Sequence, residues 1–454
     1  MKPLSFRIFA GLVLLQLAAL GVDLFLIERQ LQPLLHAGLI CGASLPWLWM
    51  SWQLLSGRAT VPLWWILLAG VMLRLVVQFS SPALSDDLYR YVWEGRIQHQ
   101  GHNPFVLAPA DARVARPGDP IWEGVNNKPI SAAYPPICQL WLYALACVGD
   151  TVEFFRSGFA LCDLLLLFLL AAWLAQLGKS PAFCLVFALC PLAIIEWSAE
   201  GHNDSLAAML LMAALLCFGR IEGRLRNWRM LMGAALFGAA VGAKFLPLLL
   251  LPWLLRHDWR ILLPALAVFL LSYLPYWPGL EGSRALFGGL SEFGIRWRHN
   301  DSAFVLIYEA SAYLQQGLRS LGSESWFATG DTQSIAKLPL ALLFGAVLAL
   351  VFWKRRPPEL AASPIFAALF ALSPVLHPWY VVWCVPFLAL RPWPSLFVLL
   401  TTASLSHHCL ARWHSEGVWE QVPLWRYLQY VPFYLALLGQ LWGMRRRQQD
   451  QSEL

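Results

Sequence analysis

The sequence predicts an all-α polytopic membrane protein, and three observations carry that expectation. Of 454 residues, 58% are hydrophobic and only 13% charged, whereas soluble domains run at roughly 45–50% and about 25%. Apolar runs recur from end to end instead of forming one anchor. The nine cysteines lie mostly in those runs and form no Cys-x-x-Cys pair, so they read as small buried hydrophobes. A soluble enzyme, a disordered chain and a disulfide scaffold are thereby excluded. The opening stretch MKPLSFRIFAGLVLLQLAALGVDLF lacks a convincing cleavage site and reads as a retained first helix.

A spanning helix needs about 20 apolar residues. Clear candidates lie near 6–27, 35–55, 62–79, 157–177, 181–197, 205–218, 336–353, 361–376 and 427–443. Shorter, proline-punctuated runs at 229–243, 245–255, 261–276, 379–390 and 393–406 bring the expected total to about 12–14 transmembrane helices. Short basic loops mark the cytoplasmic side. They are the N-terminus, Arg58, Lys179, the run from Arg220 to Arg229, Arg256–Arg260, Lys354–Arg356 and Arg445–Arg447. Both termini are then cytoplasmic, and 80–156, 196–204, 277–335 and 407–426 lie outside. The run 135–149 is too short to cross and reads as a juxtamembrane helix, which keeps the parity. The chain divides into N-terminal helices (1–79), a first outer loop with juxtamembrane helices (80–156), a helical core (157–276), a second outer loop (277–335) and C-terminal helices (336–454). No internal repeat of the carrier kind is visible.

Candidate chemistry gathers on the outer side. In Ser85-Asp86-Asp87-Leu-Tyr89-Arg90-Tyr91-Val-Trp93-Glu94, the residues Asp87, Arg90, Tyr91 and Glu94 recur at helical spacing and share one polar face. Acids at a helix start also complement its dipole, so plain capping is the simpler alternative. Glu196 and Glu200 precede a Gly201-His202-Asn203-Asp204 loop, a costly cluster at membrane depth unless it is a solvated turn. Lys244 is a lone cation between apolar runs, either a snorkelling lysine or a point charge for a phosphate. Arg296-Trp-Arg298-His299-Asn300-Asp301 and His377-Pro-Trp-Tyr380 complete the set, with interfacial packing as the competing account. His407, His408, His414 and Glu416 lack a convincing metal-ligand spacing.

Together the outer Asp86-Asp87, Tyr134-Pro135-Pro136, Gly-His-Asn-Asp and His-Pro-Trp-Tyr resemble a known family. The chain is similar, from about 85 to 390, to the GT-C glycosyltransferases that use a polyprenyl-phosphate sugar, especially their bacterial mannosyltransferase-like branch. The resemblance implies a GT-C-like fold and a hexosyl transfer, mannose-like, to a lipid, glycan or protein acceptor. It sets the active site on the outer face of a bacterial inner membrane. It places Asp86 or Asp87 as the catalytic acid, and Lys244, Arg296 and Arg298 at the donor phosphate. Arg90, Tyr91, Glu94, Tyr134, Glu200, His202, Asn203, Asp204, His377 and Tyr380 are the expected substrate contacts. Many relatives enter the acidic loop after one helix; here a helix hairpin precedes it and has no assigned role.

The chemistry is consistent with the resemblance. A sugar on a polyprenyl phosphate carries its own leaving group, so the protein must supply a base for the acceptor hydroxyl and cations for the phosphate. One base with direct displacement inverts the anomeric carbon. Asp87 is favoured as that base because it begins the polar stripe, with Asp86 rotated about 100° away toward a capping role. No cofactor and no nucleic-acid partner is expected, and a divalent cation at the acidic pair stays open. A transporter for a lipid-linked or anionic solute is the alternative, resting on Arg74, Asp163 and Glu309. A non-catalytic scaffold subunit is a third.

Overall fold

A computed structural model describes residues 2–219, 227–354 and 357–452 of the chain. The basic loop residues 220–226 and Arg355-Arg356, assigned above to the cytoplasm, lie outside the described residues. The architecture is helical throughout, apart from a two-residue parallel pairing of Lys2–Pro3 with Ala59–Thr60. Helices α1 (Phe6–Leu26), α2 (Pro33–Leu55) and α3 (Leu63–Val76) lead to α4 (Asp87–His99) and α5 (Pro136–Ala146), and α6 (Val152–Gln176) follows. After a broken segment come α7 (Asp204–Phe218), α8 (Asn227–Ala243), α9 (Leu262–Leu271), α10 (Gly288–Arg296), α11 (Ala303–Ser320), α12 (Thr332–Trp353), α13 (Pro358–Leu372) and α14 (Pro423–Ser452).

Among the described residues five helices are long and apolar enough to cross a membrane, or up to six if one bent pair counts as a span; further apolar helices are shorter. This is an integral membrane protein. Helix α5 has 11 residues and rises only about 17 Å, roughly half the hydrocarbon thickness. It packs instead against α4, where an added Cβ on Gly95 would stand 2.7 Å from the Leu142 carbonyl oxygen.

The run 181–197, expected as one clean span, is broken. It bends by 63° between Pro181–Ala188 and Pro191–Ala199 and finishes in a π-helical turn, Ile194–Ala199. Pro191 removes a backbone donor at the break. The N-terminal helices satisfy the freed carbonyls: Gln16 Nε2 donates to Leu189 O at 2.6 Å, Trp47 Nε1 to Val186 O at 2.9 Å, and Arg74 Nη1 to Ala188 O at 2.8 Å. Buried Arg74 also pairs with Asp163 at 2.8 Å, whose carboxylate accepts from Ser198 at 2.6 Å. Those two intramembrane charges therefore serve as scaffold for a broken helix. Glu309 is exposed on α11. None of the three marks a solute path.

The loop between α1 and α2 has a second task. Arg29 donates to Glu200 Oε1 at 2.7 Å and to Ser81 O at 2.7 Å. Glu200 in turn accepts from the Ala83 and Leu84 amides at 3.0 and 2.8 Å. The segment entering α4 is thus tied to the end of the π-helical turn. Gly201, at φ 67° and against Arg156, makes the reversal into α7.

Candidate active site

One cavity of about 1350 Å³ lies where the segments before α4, after α8, after α10 and after α13 converge. Nine of the fifteen expected site residues line it: Asp86, Asp87, Arg90, Tyr134, Lys244, Arg296, Arg298, His377 and Tyr380. Tyr91, Glu94, Glu200, His202, Asn203 and Asp204 are buried around it and do not line it. The polar stripe of α4 explains part of that split. Only its first turn reaches the cavity, and Tyr91 and Glu94 descend into the protein, where Gln139 Nε2 donates to Glu94 at 2.7 Å.

The two acids differ in their surroundings. Asp87 is held by three donors: Asn126 Nδ2, Tyr134 OH and Tyr91 OH donate to it at 3.1, 3.2 and 3.3 Å. Asp86 occupies the N-cap position of α4 without a side-chain cap bond, unlike the capping role expected of it. Its carboxylate has no hydrogen-bond partner among the described residues and faces the cavity. Burial pushes its carboxyl above the usual range; His414 opposes that and Asp87 adds to it. Hydrogen bonds to a carboxylate lower its basicity, whereas desolvation raises it. Of the two, Asp86 is the acid whose carboxylate is left open to the cavity. Arg90 is spent on the neighbouring loop, holding Asn126, Asn127 and Ile130.

Lys244 follows the end of α8 and is not a free cation. Its ammonium donates to Asp204 Oδ2 at 2.5 Å and Asn203 Oδ1 at 3.2 Å, and lies 4.7 Å from the Tyr380 ring centroid. Trp383 Nε1 donates to the other Asp204 oxygen at 2.6 Å. An ammonium has three donors, so one is left for the cavity. Across the cavity Arg298 pairs with Asp301 at 2.6 Å, and Asp301 also binds Arg426 at 2.8 Å. Arg296 is a rim residue, its side chain 74% exposed and paired with Glu292.

How the histidines pack was not readable from the sequence. Rings of His299, His377, Trp379 and His202 form one stacked column with successive centroid distances of 4.4, 4.2 and 3.9 Å. The His377 ring makes no hydrogen bond to any described residue and borders the cavity. Beneath the column, His407 meets His36 at 3.1 Å, and His36 meets Asp23 at 2.7 Å, so the N-terminal hairpin also buttresses this wall. An acid and a histidine inside consecutive apolar helices were the available signal. His408, His414 and Glu416 disperse: His408 accepts from the Val422 amide, His414 borders the cavity, and Glu416 pairs with Arg412.

The cavity sets acids on one wall and cations on another within a helical membrane protein. Comparison with known proteins is more specific. The chain belongs to the alpha-(1->6)-mannopyranosyltransferase family, whose N-terminal domain model matches residues 15–257, more than half of it. That span holds both acids and Lys244. The chain is 24% identical over 426 residues to alpha-(1->6)-mannopyranosyltransferase A of Mycobacterium tuberculosis, covering 83% of this chain and 77% of that one. It is 26% identical over 191 residues to the Corynebacterium glutamicum protein of the same name, covering 39% and 36%. No solved structure matches. The protein is a membrane glycosyltransferase, and the transporter reading falls away.

Proposed function

We propose that this cavity moves mannose from a polyprenyl-phosphate mannose to an acceptor hydroxyl on the outer face of a bacterial inner membrane. The observation that carries the reading is the half-buried Asp86, its carboxylate without a hydrogen-bond partner among the described residues, in the same cavity as Lys244 and Arg298. Asp86 takes the acceptor proton as the acceptor oxygen bonds to the anomeric carbon. The bond from that carbon to the phosphate oxygen breaks, and its electron pair leaves with the polyprenyl phosphate. The remaining Lys244 donor and Arg298 hold the departing phosphate. Asp87, fixed by Tyr91, Tyr134 and Asn126, orients the base and the loop that carries Asn126. Phe245, Leu249, Phe293 and Phe370 give the cavity an apolar side suited to the first isoprene units. A single base acting on a direct displacement inverts the anomeric centre. The relatives' names point to mannose and an α-(1→6) linkage.

The donor class is testable with purified protein in vesicles. Radiolabelled mannose is expected to pass to an added mannoside from polyprenyl-phosphate mannose and not from a nucleotide-linked mannose. Transfer from the nucleotide donor alone would refute the proposal. The sidedness has its own check. Single cysteines at the exposed positions 113 and 296 are expected to react with an impermeant reagent from outside, and those at 179 and 445 only from the cytoplasm. Labelling of 113 and 179 from one side would break the shared outer site.

A further inference from the structure

We propose that His299 is a substrate-binding residue, an uncharged donor whose Nε2–H reaches a phosphate oxygen of the lipid donor, and that Gln421 fixes its tautomer. The proposal rests on the reading of the cavity as a polyprenyl-phosphate-sugar site. The tautomer follows from a chain of fixed donors. The Asn300 amide donates to Gln421 Oε1 at 3.0 Å, which makes that end of the side-chain amide the oxygen. Its nitrogen, 2.9 Å from His299 Nδ1, is then the donor of that contact. A nitrogen that accepts carries no proton, so the proton of a neutral His299 sits on Nε2. That atom has no partner among the described residues, and the ring borders the cavity beside Arg298 and His377.

The ring cannot turn to escape this arrangement. His299 exchanges backbone hydrogen bonds with the 374–376 segment, donating to Pro374 O at 3.0 Å and accepting from the Leu376 amide at 2.9 Å. Asn300, in a left-handed conformation at φ 49°, anchors the turn through Leu376 O and Tyr430. One face of the imidazole stacks on His377 with 21° between planes, and Trp419 lies 5.3 Å away. Burial, with His408 as a smaller contribution, lowers the imidazole to about 3, so it stays neutral at physiological pH. His377, His407 and His408 are the titratable rings facing it, while Arg298 and Asp301 flank it in the turn and pair with each other. A neutral donor suits this place. It binds the phosphate without adding charge that would resist release of the polyprenyl phosphate.

Two variants test the assignment by donor KM and by binding of polyprenyl phosphate lacking the sugar. His299→Phe keeps a stacking ring and removes the donor. It is expected to raise donor KM and weaken polyprenyl phosphate binding, each roughly 10–100-fold. Unchanged values would reduce His299 to a packing residue and overturn the proposal. A loss seen only with the sugar-bearing lipid would assign the N–H to a sugar hydroxyl and overturn the phosphate contact. Gln421→Glu gives Nδ1 a carboxylate to face. Below the pKa of the new couple the imidazolium still offers Nε2–H; above it the Nε2 proton is lost to solvent, Nδ1 keeps its proton against the carboxylate, and a lone pair faces the phosphate. Donor KM in Gln421→Glu is therefore expected to climb with pH across the neutral range while the parent stays flat. A KM raised equally at every pH would mean charge repulsion alone and would refute the tautomer role. Failure of the parent reading looks different, because the unaltered chain would then neither turn over nor bind the lipid.

Discussion

Asp86→Asn is expected to cut mannosyl transfer about 10²–10⁴-fold while leaving donor binding near normal. The side chain keeps its shape and loses only the ability to take a proton. Asp87→Asn is expected to do less, because Asp87 already accepts from Asn126, Tyr134 and Tyr91 and its part is to hold them. Turnover and donor binding measured on both variants decide between them. Near-normal turnover in Asp86→Asn, with loss in Asp87→Asn, would move the base one residue along the chain. The pH profile carries the same information. A base must be unprotonated, and burial raises the Asp86 carboxyl. Activity is therefore expected to fall on acidification through a midpoint above the ordinary aspartate value of about 3.9, and to be regained as pH rises.

Lys244→Ala is expected to damage the protein before it reaches the chemistry. Asp204 is fully buried, and without the ammonium it keeps only Trp383 as a donor. Removing one member of a buried ion pair costs about 3–5 kcal/mol. The thermal midpoint in detergent should drop accordingly. Lys244→Met combined with Asp204→Asn removes both charges, and stability should largely return. Donor affinity should not return, since the cavity has lost its cation. Recovery of both properties in the double variant would make Lys244 a purely structural partner of Asp204.

Much of this site was legible in the sequence, for a physical reason. Asp86, Asp87, Tyr134, Lys244 and His377 are polar groups at the rim of apolar runs, where polarity is costly and therefore informative. What they touch was not legible. Asp204 and Lys244 are 40 residues apart, and nothing local says that they neutralise each other. The stripe from Asp87 to Glu94 implied one face but not that the face dives inward after its first turn. The apolar run 181–197 concealed its break at Pro191, because the groups that make the break tolerable, Gln16, Trp47 and Arg74, come from other helices. The same distance hid the role of the N-terminal hairpin. Arg29 sits in an ordinary loop, and only the fold brings it to Glu200. His299 looked like part of an interfacial aromatic cluster; its meaning depends on Gln421, 122 residues away.

The most direct measurement of the central claim is an experimental structure of the protein with polyprenyl phosphate bound. The phosphate is expected among Lys244, Arg298 and His299, the lipid chain along Phe245, Leu249 and Phe370, and Asp86 facing the vacated sugar position. A phosphate bound elsewhere, with this cavity left to water, would contradict it.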